Sequence, residues 1–435
     1  MERLLYQKLL NWKNDKNRKP LVLEGARQTG KTWLLKTFGE QEYEHLVYIN
    51  CDNNKDAANL FTDYDMKRIL RNLSALTSLP ILPGKTLIVL DEIQEIPRGI
   101  SALKYFCEEV PDYHVAVAGS LLGISLHEGS GFPVGKVNTL RLYPMSFTEF
   151  LLALGHPQLV DLMKQSQWTD FSSLKEKLTD LLRQYYYVGG MPEAVLSYID
   201  HDDLQGVRQI QEELLSMYRR DFSRHIPPEQ VPRVNLVWDS IPSQLAKENK
   251  KFIYGAMKKG ARAKEFELAI QWLTDAGLIH KVNRISKLEK PLSFYRDYSA
   301  FKLFLLDVGL LGAMSGVVAK ELLTGGSAFS EYKGALTENY IAQQFYAATQ
   351  DDLFYYVNER SSVEIDFVTC TTQVNPVEVK AEENLKSKSL SSVLQKNPDA
   401  FGFRFSMSDY REQERMTNIP LYLAESWFRF NHVFP

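Results

Sequence analysis

Eight residues, Gly25-Ala26-Arg27-Gln28-Thr29-Gly30-Lys31-Thr32, constrain this chain more than any other stretch. They fit the spacing GxxxxGK[ST], follow the apolar run Leu21-Val22-Leu23, and precede the helical pattern Trp33-Leu34-Leu35-Lys36-Thr37-Phe38. Strand, glycine loop and helix in that order bring backbone N–H groups together on one anion at a helix N-terminus. The spacing predicts a phosphate-binding loop from Gly25 to Thr32. Lys31 reaches the β- and γ-phosphates, and the Thr32 hydroxyl ligates Mg²⁺. The alternative is a glycine turn before an ordinary helix, and the full strand–loop–helix context argues against it.

Thr86-Leu87-Ile88-Val89-Leu90-Asp91-Glu92 is a short apolar run ending in two carboxylates. Such a run reads as a strand buried on both faces of a parallel sheet. Ligands of these sheets lie beyond the carboxyl ends of the strands. Asp91 is therefore placed to hold Mg²⁺, directly or through water, and Glu92 to polarise the attacking water. His45 to Asn50 reads as a further strand, and Tyr113 to Ser120 as another buried one. In ATPases of this layout the latter lies beside the strand ending in Asp91, and its terminal polar residue, here Ser120, senses the γ-phosphate. By spacing alone Ser120 serves equally as a helix N-cap. Glu128 to Gly135 is rich in Gly, Ser and Pro and reads as a mobile loop. Lys136 and Arg141 follow it as candidates for a finger reaching a neighbouring subunit's γ-phosphate.

The chain has 435 residues, enough for roughly two to four domains. With 44% hydrophobic and 24% charged residues the composition is that of a globular protein. No apolar run has the length needed to span a bilayer; the best, Phe301 to Met314, contains Lys302 and Asp307. Met1-Glu2-Arg3-Leu4-Leu5 lacks the layout of a signal peptide, so a cytoplasmic protein without a membrane partner is expected. Cys51, Cys107 and Cys370 are widely separated, which fits a reducing compartment and gives neither a disulfide framework nor a CxxC metal site. A net charge of -3 excludes a whole-chain basic field for nucleic acid. DNA would have to meet a local patch, and Lys247, Lys250, Lys251, Lys258, Lys259, Arg262 and Lys264 supply one. A charge run of this kind reads first as a solvated face.

Four regions are expected in an α/β chain. Residues 1–150 alternate strands and helices as a nucleotide-binding core with a parallel sheet. Residues 151–231 read as a helical lid, broken by Val188-Gly189-Gly190-Met191-Pro192, a structural turn between helices. Residues 232–317 have a winged-helix-like outline. Ile241-Pro242-Ser243 gives a helix start, Lys264 to Ala276 carries Phe266, Leu268, Ala269, Trp272 and Leu273 at helical spacing, and Gly277 stops that helix. Leu278 to Val282 then begins a wing hairpin. The basic patch falls beside and into the last helix, the element that enters the major groove in DNA-binding versions. Winged helices also serve as spacers and dimerisation modules.

Residues 318–435 carry a second chemical pattern. Lys333 to Ile341 reads as a helix bearing Glu338; Val363 to Val368 and Asn375 to Ala381 alternate as strands around the turn Thr371-Thr372-Gln373. A period of two sets Ile365 and Phe367 against Glu364 and Asp366, and Val377 and Val379 against Glu378 and Lys380. Paired as a hairpin, these strands gather Asp366, Glu378 and Lys380 on one surface within reach of Glu338. Three carboxylates and a lysine suit metal-assisted phosphodiester hydrolysis. Asp366 and Glu378 hold Mg²⁺ through oxygen, the metal activates water, and Lys380 positions that water. The alternative is an edge hairpin with a charged outer face, which the alternation alone favours.

With these residues in view, the chain resembles the prokaryotic AAA-type P-loop ATPases whose C-terminal region, of unassigned function, is similar to PD-(D/E)XK nucleases. The markers run in order through nearly the whole chain: Gly25 to Thr32, Leu90-Asp91-Glu92, Ala118-Gly119-Ser120, Leu142 to Phe147, Gly189-Gly190-Met191-Pro192, Gly334 with Glu338-Asn339, Glu364-Ile365-Asp366 and Glu378-Val379-Lys380. The resemblance implies a nucleotide site on Gly25, Gly30, Lys31, Thr32, Asp91 and Glu92, and a nuclease-like site on Glu338, Asp366, Glu378 and Lys380. It also implies homo-oligomers, because AAA-type relatives often form rings. Where relatives often have Gly-Arg this chain has Gly135-Lys136, a charge without the bidentate fork of arginine. The expected function is a Mg²⁺-dependent ATPase coupled to a nuclease-like, DNA-processing domain. The alternative is a nucleotide-dependent switch that binds DNA or a protein partner without cleaving anything.

Overall fold

A computed structural model describes residues 1–120, 132–165, 168–247, 250–324, 330–349, 351–358, 363–383 and 386–431. The chain divides into two compact units, one of Glu2–Tyr143 with Asp275–Gly277, the other of Pro144–Thr274 with Leu278–Pro435.

The first unit is an α/β P-loop NTPase fold. Its strands β1 (Leu21–Glu24), β2 (His45–Asn50), β3 (Thr86–Asp91), β4 (His114–Ala118) and β5 (Asn138–Arg141) form a parallel sheet in the order β2-β3-β4-β1-β5. Every residue of β1, β3 and β4 is buried, as a sheet covered on both faces requires. Alternate residues feed opposite cores. Val22, Ile88, Leu90, Val115 and Val117 pack with Leu60, Ile69, Leu103 and Phe106 from three helices, Lys55–Leu60, Met66–Thr77 and Pro97–Glu109. Leu21, Leu23, Leu87, Val89 and Ala116 pack with Leu9, Trp12, Leu34 and Phe38 from Leu5–Asn14 and Lys31–Glu42. Because β4 lies between β3 and β1, the carboxyl ends of all three strands open onto the glycine loop that follows β1.

The second unit contains a mixed sheet, in the order β12-β13-β11-β10-β9-β8-β6-β7 among the described residues. Its strands are β6 (Ile279–Ile285), β7 (Arg296–Leu305), β8 (Phe354–Val357), β9 (Glu364–Cys370), β10 (Val374–Val379), β11 (Gly402–Ser406), β12 (Arg411–Glu412) and β13 (Met416–Pro420). The pair β9–β10 lies inside this sheet, so the edge-hairpin alternative is excluded. All six residues of β10 are buried, and the helix Ser330–Ala348 packs against β10 and β7. The strands β6 and β7 pair antiparallel, with Ile279 opposite Leu305, and β6 also pairs in parallel with β8. The strands β6 and β7 and the C-terminal strands thus share one sheet. The helix expected to start near Ile241 instead starts at Val231 and ends at Leu245, with Pro242 in its last turns. Pro232, in its first turn, is the proline that marks the start, where the missing N–H has no helical partner to lose.

The helices of the expected lid belong to this second unit and are tied into it by a buried polar knot. Gly189 has φ 74°, and a Cβ there would lie 2.2 Å from Asp307 Oδ1; one on Gly190 would lie 2.0 Å from the Met145 carbonyl oxygen. Asp307, fully buried, accepts from Gly190 N (2.6 Å) and from Leu310 N (3.0 Å). Tyr185 donates to the Met145 carbonyl (2.6 Å), and Gln343 donates both to Tyr185 (2.9 Å) and to Asp307 (3.0 Å). No helix among the described residues is long and apolar enough to cross a membrane.

Candidate nucleotide site and carboxylate–lysine cluster

Between β1 and the helix Lys31–Glu42 the chain turns through Gly25 at φ 148° and Gly30 at φ 93°, backbone angles that glycine adopts without cost. A Cβ on Gly25 would also lie 2.2 Å from the Leu142 carbonyl oxygen. Thr29 Oγ1 donates to the Ala26 carbonyl (2.9 Å), and Arg3 donates to the carbonyls of Thr29 (2.8 Å) and Tyr143 (2.6 Å). Arg3 was not legible as a loop support, since it lies ahead of the first helix with no motif around it. Lys31, 6% exposed, donates to the carbonyls of Gly25 and Ala26, both at 2.8 Å. Burial lowers its pKa to about 8, against the opposing pull of Glu92 and Asp91.

The end of β3 meets the start of the same helix. Asp91 Oδ2 accepts from Thr32 Oγ1 at 2.6 Å and from the Tyr48 hydroxyl at 3.0 Å. Glu92 takes a left-handed conformation, φ 51°, which turns its carboxylate toward β4. There Glu92 Oε2 accepts from Gln94 Nε2 (2.6 Å), from Ser120 Oγ (3.2 Å) and from Ser120 N (3.4 Å), while Arg27 Nε donates to Ser120 Oγ (3.1 Å). Arg27, Lys31, Thr32, Asp91, Glu92 and Ser120 are therefore brought to one place. Tyr48 and Gln94 were missed; the position of Tyr48 follows only once β2 is known to pair with β3, with Tyr48 opposite Val89. The touching Thr32 hydroxyl and Asp91 carboxylate are hard oxygen donors, a set that fits Mg²⁺. Both finger candidates are paired within the unit, Lys136 with Glu108 (2.8 Å) and Arg141 with Glu24 (2.9 Å). Residues 128–131 of the loop before them lie outside the described residues.

Residues 17–151 match the family described as AAA domain. This segment is an AAA-type ATPase domain, and its nucleotide is ATP. Residues 179–321 match a domain of unknown function (DUF8612), and residues 333–424 a second (DUF4143). No curated protein matches the chain. Among solved structures, the Walker-type ATPase of Pyrococcus abyssi is 14% identical, over 72% of this chain and 95% of its own, with a TM-score of 0.47. The Aeropyrum pernix ORC1 protein in complex with DNA is 16% identical over 72% of this chain and 90% of its own, with a TM-score of 0.27. AMPPCP-bound DnaA from Aquifex aeolicus is 12% identical over 62% of this chain and 86% of its own, with a TM-score of 0.26.

In the second unit Glu338, Asp366, Glu378 and Lys380 also come together. The β9–β10 register pairs Phe367 with Val377, so its next step sets Asp366 across from Glu378. Asp366 Oδ2 accepts from Val379 N (2.8 Å), and Lys380 Nζ contacts Glu378 Oε1 (2.9 Å). Three further residues join them. Lys250 binds Glu338 Oε1, and Lys302, with no solvent exposure, lies 2.7 Å from Glu364 Oε1 and 3.8 Å from Glu338 Oε2. Burial works against the charge on Lys302, but Glu338, Glu364 and Asp366 outweigh it and hold its pKa above the usual value. Burial raises the Asp366 carboxyl, and the Glu338 charge adds to the rise. Lys250 was counted in the surface patch; its side chain is only 14% exposed because Glu338 draws it inward. Lys258, Lys259, Arg262 and Lys264 remain exposed.

Among the described residues no three acidic, histidine or cysteine side chains assemble as a metal-holding group. The Mg²⁺ expected on Asp366 and Glu378 therefore does not fit the cluster as it stands. Lysine ammonium groups meet the carboxylates.

Proposed function

We propose that this protein is a Mg²⁺-dependent ATPase whose hydrolysis cycle governs a second unit acting on nucleic acid. The observation that carries the reading is the linked set Thr32–Asp91–Glu92–Ser120 beside the Lys31 loop. ATP places its phosphates on the amides of Gly25 to Thr32, with Lys31 leaving the Gly25 and Ala26 carbonyls for the β- and γ-phosphates. Thr32 and Asp91 hold Mg²⁺, which neutralises charge on the phosphates when bound. Glu92 orients and polarises the attacking water, and Ser120 fixes the Glu92 carboxylate and reads the γ-phosphate. Lys31→Ala tests the assignment, since it should abolish ATP turnover; unchanged hydrolysis overturns it.

For the second unit, the gathering of Glu338, Asp366, Glu378 and Lys380 supports a nuclease-like, DNA-processing role, with Lys258, Lys259 and Arg262 contacting the phosphate backbone. The contacts of Lys250, Lys302 and Lys380 favour a second reading, a nucleotide-dependent switch that binds DNA or a protein partner and cleaves nothing. Plasmid and branched DNA incubated with wild type and Asp366→Ala, with and without ATP, separate the two. Metal-dependent cleavage lost in the variant supports the nuclease; no cleavage by wild type across several metals supports the switch.

A further inference from the structure

We propose that Tyr48 is a positioning residue for the metal of the nucleotide site: its hydroxyl holds the Asp91 carboxylate toward Thr32, and Lys36 holds the Tyr48 ring. The proposal rests on the Mg²⁺-dependent ATPase reading and adds the residues that set its metal affinity.

Two periods in the sequence bring these groups together. Strand residues alternate faces. On β2, Val47 and Ile49 pack into one core, while Leu46 and Tyr48 border the other, the core that contains Val89. Tyr48 pairs with Val89 and Asn50 with Asp91, so Asp91 is the diagonal neighbour of Tyr48 on the same face. An aromatic side chain is long enough to span that diagonal. On the helix Lys31–Glu42, Thr32 and Lys36 are four residues apart and share a face. Thr32 Oγ1 donates to Asp91 Oδ2 (2.6 Å), and one turn further on Lys36 Nζ stands 3.8 Å from the centre of the Tyr48 ring. The Tyr48 hydroxyl returns to the same Asp91 Oδ2 (3.0 Å), which closes a loop of four side chains.

Asp91 is 3% exposed, and its Oδ1 accepts from Glu92 N (3.1 Å). Turning the carboxylate therefore breaks bonds at both oxygens. Of the two side chains on Oδ2, Thr32 is itself a Mg²⁺ ligand in this reading. Tyr48 is not, and a phenol keeps its proton well above neutral pH, so its donation is independent of the ion. A group that donates to a metal-holding carboxylate orients it, and losing that group weakens metal binding. Packing does not call for the hydroxyl, because the ring of phenylalanine would fill the same place under Lys36.

The test uses the full chain with saturating ADP, titrated with Mn²⁺ and followed by the electron paramagnetic resonance signal of free Mn²⁺. Tyr48→Phe should weaken Mn²⁺ binding by about 10-fold, the low end for loss of a group that orients a metal ligand. Its affinity for ADP in EDTA should equal that of wild type. In ATP hydrolysis its half-maximal Mg²⁺ concentration should rise and kcat should recover at high Mg²⁺, a recovery that a merely structural fault would not give. Lys36→Met, which covers the ring without a charge, should shift Mn²⁺ binding the same way by less. Wild-type Mn²⁺ affinity in Tyr48→Phe, or a loss of its ADP affinity in EDTA, overturns the role of Tyr48. An unshifted Lys36→Met overturns the role of Lys36. Wild type that takes up ADP without Mn²⁺ overturns the metal reading beneath both.

Discussion

Lys31 holds its ammonium on two loop carbonyls, and burial sets its pKa at about 8 in the nucleotide-free protein. Triphosphate oxygens beside it stabilise the charged form and raise that value. At pH 6.5 the group is charged both free and bound, so binding takes up no proton there. At pH 9 the free lysine is largely neutral, and ATP binding should take up close to one proton. Calorimetry in two buffers of different ionisation enthalpy measures this directly; equal heats in both buffers at pH 9 would count against the account. Glu92 gives a second prediction at this scale. Glu92→Gln should keep ATP binding and slow hydrolysis by about 10²- to 10⁴-fold, the range of a positioned general base. Ser120→Ala removes one hydroxyl donor from Glu92 Oε2 and leaves the Ser120 N–H in place. Its effect on the hydrolysis rate should therefore be smaller than that of Glu92→Gln; a loss of rate as large as that of Glu92→Gln would contradict this.

At the scale of elements, the turn Gly189-Gly190 is the most demanding. The Met145 carbonyl, 2.0 Å from a Cβ on Gly190, is backbone fixed by Tyr185 and cannot move aside cheaply. Gly190→Ala should destabilise the second unit by about 3 kcal/mol or more, read as a lowered thermal midpoint. A midpoint within a degree of wild type contradicts this. The pattern Gly189-Gly190-Met191-Pro192 was legible as a structural turn, because two glycines and a proline have few other uses, but its partner Asp307 was not. The strands β1, β3 and β4 were legible because burial on both faces leaves a continuous apolar run. In β9 and β10 the alternation gave the correct facing of Asp366 and Glu378, with Lys380 just past the end of β10, and said nothing of burial. The helix Ser330–Ala348 packs against β10, and periodicity within a strand cannot report what lies over it. Lys302 and Lys250 come from a different strand and a connection remote in sequence, so no local spacing joins them to Glu338. Pro242 misled for a related reason, since Pro232 supplies the same start signal ten residues earlier.

For the whole molecule, the chain combines an AAA-type ATPase domain with a second unit whose matched regions have no described function. Its net charge of -3 makes any DNA contact a matter of the exposed residues Lys258, Lys259, Arg262 and Lys264. Replacing Lys258, Lys259 and Arg262 with alanine should weaken DNA binding evenly across sequences and flatten the dependence of log affinity on log salt by about 0.7 to 0.9 per lost phosphate contact. An unaltered slope removes the patch from the account. Everything else depends on the nucleotide loop. Equilibrium dialysis of labelled ATP with Mg²⁺ against wild type and Lys31→Ala is the most direct measurement. The account predicts saturable binding of one ATP per wild-type chain and its loss in Lys31→Ala; no saturable uptake by wild type, or equal uptake by both, would contradict it.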